Sequence, residues 1–312
     1  MIYCTLLNPA LDVIYDVAEL KPGATVTDAV SRMCPAGKGL NIAGIVKLLG
    51  EEVVVAGQVP AASRQQFSEY CDSLKIKSHL VPTEGSVRVN TTILETANGQ
   101  VSHVNAEGPT LPGRVQDELI ALLGSLMQSG DLWAFSGSLP RGFEEDAYQK
   151  LVSLCRTKSC EAMLDTRGEA LQRGVRAKPR MIKPNLSELE QFFNEQIQGV
   201  HHIALKGKRL VDMGVDFVFI TLGSDGMIAI HENDCLLCSA PAVRAVDTVG
   251  CGDALAAGIM VGYARKFSFS EMCRMAVACG SSKAMHRGPS GGGGVTRDEI
   301  WQLMEDVKVR SI

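Results

Sequence analysis

Apolar runs of strand length alternate with stretches of helical pattern along most of this chain, and few folds accept that rhythm. Residues 2–7, 53–56, 132–135, 162–164 and 217–220 are strand-like, and residues 41–49, 115–127 and 146–155 carry a helical pattern. A helical crossover between two strands makes them parallel, and parallel sheets are covered by helices on both faces. The expectation is an α/β fold with a mostly parallel sheet. The last third reads as mostly helical, over 253–285 and 297–307. With 312 residues, 46% of them hydrophobic, the chain can bury a sizeable core. No repeat or linker divides it, so residues 1–312 read as one domain.

Two segments break the rhythm. Residues 12–31 and 87–104 alternate polar and apolar positions, and the second holds an Asn98-Gly99 turn between two strand runs. Both read as antiparallel strands outside the main sheet, a small flap over a site. The formal charge is −4 with no basic block, which argues against a nucleic-acid partner. No charged and apolar leader opens the chain. The apolar run 254–264 is short of the ~20 residues that span a bilayer. The expectation is a cytoplasmic protein without a membrane partner. Ten cysteines read as buried free thiols. Cys235 and Cys238 form the lone C-x-x-C, with no second pair at zinc spacing. The glycine-rich stretch 288–294 reads as a loop.

The chemistry concentrates at two glycine motifs. In Asp247-Thr248-Val249-Gly250-Cys251-Gly252-Asp253, followed by an apolar helical run, two glycines let backbone N–H groups converge at a helix N-terminus. Such a point attracts an anion. Asp253 then sits where a transferring phosphate would lie, a candidate base for a hydroxyl. The alternative is an ordinary helix cap. In Ala36-Gly37-Lys38-Gly39-Leu40-Asn41, glycines flank a lysine before an asparagine opens a helix. A cation and an amide beside exposed backbone suit a polar, anionic ligand. Neither stretch is a P-loop or a dinucleotide fingerprint.

Together these stretches resemble the PfkB (ribokinase-like) family of sugar kinases, and the likeness runs through nearly the whole chain in order. Thr5 to Asp12 resembles the family's opening strand and its sugar-binding aspartate. Gly37 to Asn41 resembles its first signature, and Asp247 to Gly258 its second, where the aspartate is the catalytic base. Asn185 and Glu188 look like its N-x-x-E segment, and Thr221 to Gly226 like its nucleotide loop. Three features are similar to the fructose-1-phosphate and tagatose-6-phosphate kinase branch: Asn8-Pro9-Ala10 before Asp12, the turn from Ser136 to Gly142, and Arg88 before Asn90-Thr91-Thr92. Asp165-Thr166-Arg167-Gly168 fits that branch too, although Arg167 stands where serine is common, and Cys251 replaces an alanine.

The resemblance implies a three-layer α/β/α sandwich with a small β lid, over about 12–34 and 86–106. It implies magnesium-dependent transfer of phosphate from ATP to a phosphorylated ketohexose, fructose 1-phosphate first. Tagatose 6-phosphate, fructose 6-phosphate and an unphosphorylated sugar or nucleoside are the alternatives, and a silent sugar-phosphate sensor is another. Asp253 would be the base, with Gly250, Cys251 and Gly252 forming the anion hole. Asp12, Asn41, Asn90 and Ser138 would face the sugar beside Gly37. Lys38 and Arg88 would hold the phosphate it already carries. Asn185, Thr221, Gly223, Ser224 and Gly226 would border ATP, and Glu188 would order Mg²⁺ through water. The helix N-terminus is expected to lower the Cys251 thiol pKa. The flap strands are expected to pair across a two-fold axis into a homodimer.

Overall fold

The computed structural model describes residues 1–288 and 293–312, so most of the glycine-rich stretch, residues 289–292, lies outside the described residues. The first half runs β1 (Ile2–Leu6), β2 (Ala10–Val17), β3 (Val30–Ala36), α1 (Lys38–Leu48), β4 (Val53–Pro60), α2 (Arg64–Ser73), β5 (Lys77–Thr83), β6 (Arg88–Glu95), β7 (Val101–Asn105), α3 (Gly113–Leu126), β8 (Leu132–Ser136) and α4 (Ala147–Thr157). The second half runs β9 (Glu161–Asp165), α5 (Gly168–Arg176), β10 (Met181–Ile182), α6 (Leu186–Phe193), α7 (Val200–Asp212), β11 (Phe217–Thr221), β12 (Met227–His231), β13 (Asp234–Ser239), α8 (Cys251–Ala264), α9 (Phe269–Met285), α10 (Arg297–Asp306) and β14 (Lys308–Ser311).

Ten strands form the main sheet in the order β5-β4-β1-β8-β9-β10-β11-β12-β13-β14. From β5 to β11 every pair is parallel, and the last three join antiparallel. The central strands are apolar on both faces, as a sheet covered twice requires; β4 is buried along its whole length. Successive residues feed opposite layers. Phe217 and Phe219 pack with α1, α8 and α9, while Val218 and Ile220 pack with α3 to α7. The same alternation sends Cys235 and Cys238 of β13 into different layers, so this C-x-x-C cannot share a metal.

The mostly parallel sheet and its two helical layers match the expectation from the alternation. The start of α1 explains one glycine. A Cβ at Gly39 would lie 2.0 Å from the Thr5 carbonyl oxygen, so only glycine lets α1 seat this closely on β1.

The flap is a separate sheet in the order β3-β2-β6-β7. The two hairpins, β2–β3 and β6–β7, are antiparallel as expected. Their junction differs: β2 and β6 pair parallel, Ala10 with Arg88 through Val17 with Glu95. Each follows a parallel strand of the main sheet, β1 and β5, so both leave the same edge in the same direction. The chain reverses its direction of travel across the main sheet between β1 and β8, and in such sheets the crevice beyond the carboxyl ends at that point receives ligands. The flap strands rise from this edge. No described helix is long and apolar enough to cross a membrane.

Candidate active site

At the head of α8, Gly250 adopts φ 78°, a left-handed conformation that suits glycine and turns the chain into the helix. The Cys251 N–H donates to the Thr248 carbonyl at 3.3 Å. The N–H groups of Gly250, Gly252 and Asp253 find no acceptor among the described residues, as expected for the open end of a helix. Of the groups expected from the sequence, the N–H groups of Gly250 and Gly252, and that of Asp253, are open here, whereas that of Cys251 is engaged.

Asp253 is buried in the first turn of α8. Its Oδ2 accepts a hydrogen bond from Asn41 Nδ2 at 2.8 Å, and Lys38 Nζ stands 3.7 Å from Oδ1. The same lysine donates to Asp165 Oδ2 at 2.9 Å. Lys183, itself buried, approaches Asp165 Oδ1 at 3.2 Å, an ion pair without an aligned hydrogen bond. Lys183 also lies beneath the glycine turn, 3.6 Å from where a Cβ on Gly252 would be. Burial pushes both carboxyls up. At Asp165 the charges of Lys183 and Lys38 outweigh it and hold the group below the usual carboxylate range. At Asp253 burial, with the charge of Asp165, outweighs Lys38, Asn41 and Lys183, and the group lies above that range.

Beside this cluster a cavity of about 220 Å³ opens at the carboxyl ends of β1, β8 and β9, where the chain changes direction across the sheet. Asn8, Lys38, Arg88, Ser138, Arg167 and Glu188 contribute to its wall. Asn8 Nδ2 donates to Ser138 Oγ at 3.0 Å, and Arg88 Nη2 donates to the Asn8 carbonyl at 3.3 Å. Arg88 Nε is buried without an acceptor among the described residues. On the flap, Asn90 Nδ2 donates to Asp12 Oδ1 at 2.9 Å, across the β2–β6 pair. Burial raises the Asp12 pKa. Gly37 caps α1, its carbonyl accepting the Asn41 N–H at 2.9 Å.

A second cavity, of about 900 Å³, lies past β11. Asn185, Thr221, Gly223 and Ser224 line it together with Gly199 and Ser239. Gly226 does not line this cavity; it turns the chain into β12 against the Cys238 carbonyl. The N-terminus of α6 divides the two cavities. Its capping box joins the Glu188 N–H to Asn185 Oδ1 at 2.8 Å, and the Asn185 N–H to Glu188 Oε2 at 2.9 Å. Asn185 faces the large cavity and Glu188 the small one. Glu188 Oε1 has no partner among the described residues.

Lys38 lines the small cavity while paired with Asp165 and near Asp253. One expectation needs correction. The Cys251 thiol is not activated: burial, the largest influence, pushes it up to about 11 despite the charge of Lys283. Sequence reasoning gave no role to Asp165 or Lys183. Their signal was a charged residue ending an apolar strand run, in Met163-Leu164-Asp165 and Met181-Ile182-Lys183.

The profile described as "pfkB family carbohydrate kinase" matches residues 7–292. The chain is similar to the 1-phosphofructokinase of Bacillus subtilis, at 27% identity over 309 residues, covering 99% of each sequence. It is equally similar to the tagatose-6-phosphate kinase of Staphylococcus epidermidis, at 27% identity over 99% of this chain and 100% of the relative. Its fold superposes on phosphofructokinase-2 from Escherichia coli with a TM-score of 0.91, at 22% identity, over 97% of this chain and 98% of the other. That last likeness bears on the fold: a ribokinase-like sandwich with a central sheet flanked by helices.

Proposed function

Because the chain belongs to the pfkB family of carbohydrate kinases, we propose that it moves the γ-phosphate of ATP to a hydroxyl of a ketohexose that already carries a phosphate, with fructose 1-phosphate as substrate and fructose 1,6-bisphosphate as product. The chain is a phosphotransferase with an alcohol acceptor. Tagatose 6-phosphate and fructose 6-phosphate are the competing substrates of the same class. The location that goes with this reading is the cytoplasm.

The observation that carries the reading is the surroundings of Asp253. A buried carboxylate with one oxygen held by Asn41 stands beside open N–H groups and a paired lysine. The substrate hydroxyl gives its proton to Asp253 as its oxygen bonds to the γ-phosphorus, and ADP leaves with the electrons of the broken bond. The N–H groups of Gly250 and Gly252, with Lys38 and Lys183, stabilise the charge on the group in flight. Asp165 pairs with both lysines and holds them in place. Asp12, Asn90 and Ser138 orient sugar hydroxyls, and Arg88 binds the phosphate already present.

ATP occupies the large cavity, with its γ-phosphate reaching past Asn185 toward α8. Magnesium fits this arrangement. Glu188 Oε1 is open, and magnesium takes one or two carboxylates, keeps several waters and draws further ligands from phosphate oxygens. Bound there it would neutralise phosphate charge.

A coupled assay of ADP release over fructose 1-phosphate, fructose 6-phosphate, tagatose 6-phosphate, fructose and a nucleoside tests the reading. Fructose 1-phosphate should give the highest kcat/KM. Turnover of an unphosphorylated acceptor as fast as any sugar phosphate would overturn it.

A further inference from the structure

Three cations contribute to the wall of the small cavity, and their charges are not equally compensated. Lys38 is paired with Asp165 and stands near Asp253. Arg88 and Arg167 have no carboxylate within 4.0 Å among the described residues. Asp12, the acid on the strand beside Arg88, accepts from Asn90 instead. Glu188, the other carboxylate of the wall besides Asp165, holds its own helix cap. Two guanidinium groups therefore share a cavity of about 220 Å³ with no partner anion for either. They come from different bodies: Arg88 from β6 of the flap, Arg167 from the turn between β9 and α5. Burial, and then the charge of Arg167, lowers the Arg88 pKa, while Asp12 acts the other way.

Like charges gathered in a small, partly buried space repel unless an anion joins them. A phosphate dianion suits two guanidinium forks better than a hydroxyl does, because each fork can present two N–H groups to two oxygens. We propose that Arg167 is a specificity residue: with Arg88 it clamps the phosphate that the substrate already carries, and it makes the site select phosphorylated over plain sugars. The proposal rests on the phosphosugar reading above and adds to it a second arginine in the wall of the same cavity. Arg167 is solvent-exposed and makes no side-chain hydrogen bond or ion pair among the described residues, so no contact of the fold occupies its guanidinium.

Arg167→Ser and Arg167→Lys, followed in the full-length enzyme with fructose 1-phosphate, fructose 6-phosphate and tagatose 6-phosphate, test the proposal. Arg167→Ser should raise KM for the preferred sugar phosphate by roughly ten- to hundredfold, the range for a lost charge-assisted pair. KM for ATP and kcat should stay within about threefold, and Arg167→Lys should recover part of the loss. Titration calorimetry with the same sugar phosphate in the absence of ATP should show the same weakening. In the Arg88→Ala/Arg167→Ser double variant the loss should be smaller than the product of the single losses, because both groups serve one phosphate. An unchanged KM in Arg167→Ser, or strictly multiplicative losses, overturns the clamp while leaving the kinase reading intact. Failure of the unaltered enzyme to turn over any of the three sugar phosphates overturns the phosphosugar reading, and the clamp with it.

Discussion

Asp253 and Asp165 are both buried and both within reach of Lys38, yet their surroundings drive them in opposite directions. The difference lies in the contacts: Lys38 and Lys183 both pair closely with Asp165, whereas Asp253 receives Asn41, a more distant Lys38 and the opposing charge of Asp165. A pair of acids pushed apart in this way separates the roles, Asp165 staying ionised as an anchor and Asp253 poised to take a proton. A base must be unprotonated, so activity is lost as pH falls through its raised pKa. The acid limb of kcat/KM should therefore lie above the ~3.9 of an ordinary aspartate. Asp253→Asn should lower kcat by roughly 10²–10⁴ while leaving sugar-phosphate affinity nearly intact; a variant keeping half the activity removes Asp253 from the base position. Cys251 makes the opposite point. Its place at a helix N-terminus suggested activation, but burial wins and the thiol sits at about 11. Iodoacetamide at pH 7.5 should alkylate it far more slowly than free cysteine, and Cys251→Ala should retain most activity. Peptide mass spectrometry of the treated enzyme reads this directly, and fast loss of the Cys251 thiol would count against the burial argument.

Elements whose signal is local were legible in the sequence. The runs at 53–56, 132–135 and 217–220 lie inside β4, β8 and β11, and the helical pattern at 115–127 is α3, which starts two residues earlier and ends one earlier. The parallel β2–β6 junction was not legible, because it joins strands about 78 residues apart in the register Asp12 to Asn90 and depends on where β1 and β5 deliver them. The closing strand β14 was hidden for the same reason: it exists only by pairing with β13. In the site, the glycine turns and Asp253 were legible because they sit in short motifs, whereas the lysine–aspartate cluster gathers α1, β9 and the residue after β10 and is visible only once the sheet is assembled. Helix α6 allows a clean separation of structure from function. Glutamine serves the third position of a capping box as well as glutamate does, so Glu188→Gln should change stability by less than about 0.5 kcal/mol. The magnesium concentration for half-maximal rate should rise roughly ten- to hundredfold, if one carboxylate oxygen serves the metal. Thermal unfolding and a magnesium titration of the same variant measure the two effects, and a large loss of stability with an unchanged magnesium requirement would confine Glu188 to capping.

At the scale of the whole molecule, the flap is the part whose stability the fold accounts for least. It is a four-stranded sheet with two open edges, β3 and β7, and β7 is exposed along its length. Its register lines up Met33, Val13, Thr91 and Val104 in one row across the four strands. The adjacent row, Cys34, Asp12, Asn90 and Asn105, belongs to the opposite face, which carries the polar groups assigned to the sugar. In the first row Met33 is 58% and Val104 62% exposed, and Tyr15, two residues from Val13 on the same face, is 37% exposed. Large apolar side chains clustered on one face of a small sheet call for cover. A second copy of the chain offers an identical sheet, and two such faces packed about a two-fold axis bury both at once. We therefore expect a homodimer joined through the flaps, with a scattering mass twice the 33.5 kDa of the chain at micromolar concentration. Met33→Glu combined with Val104→Glu should give monomers, since each charge would be buried without a partner. The consequence for catalysis follows from Arg88, which rides on the same sheet. Without the partner the flap holds this arginine less firmly over the cavity, so the monomeric variant should lose affinity for the sugar phosphate while KM for ATP changes little. A wild-type chain that scatters as a monomer with full activity would rule out the paired flaps, and a dimer that survives both glutamates would move the interface elsewhere.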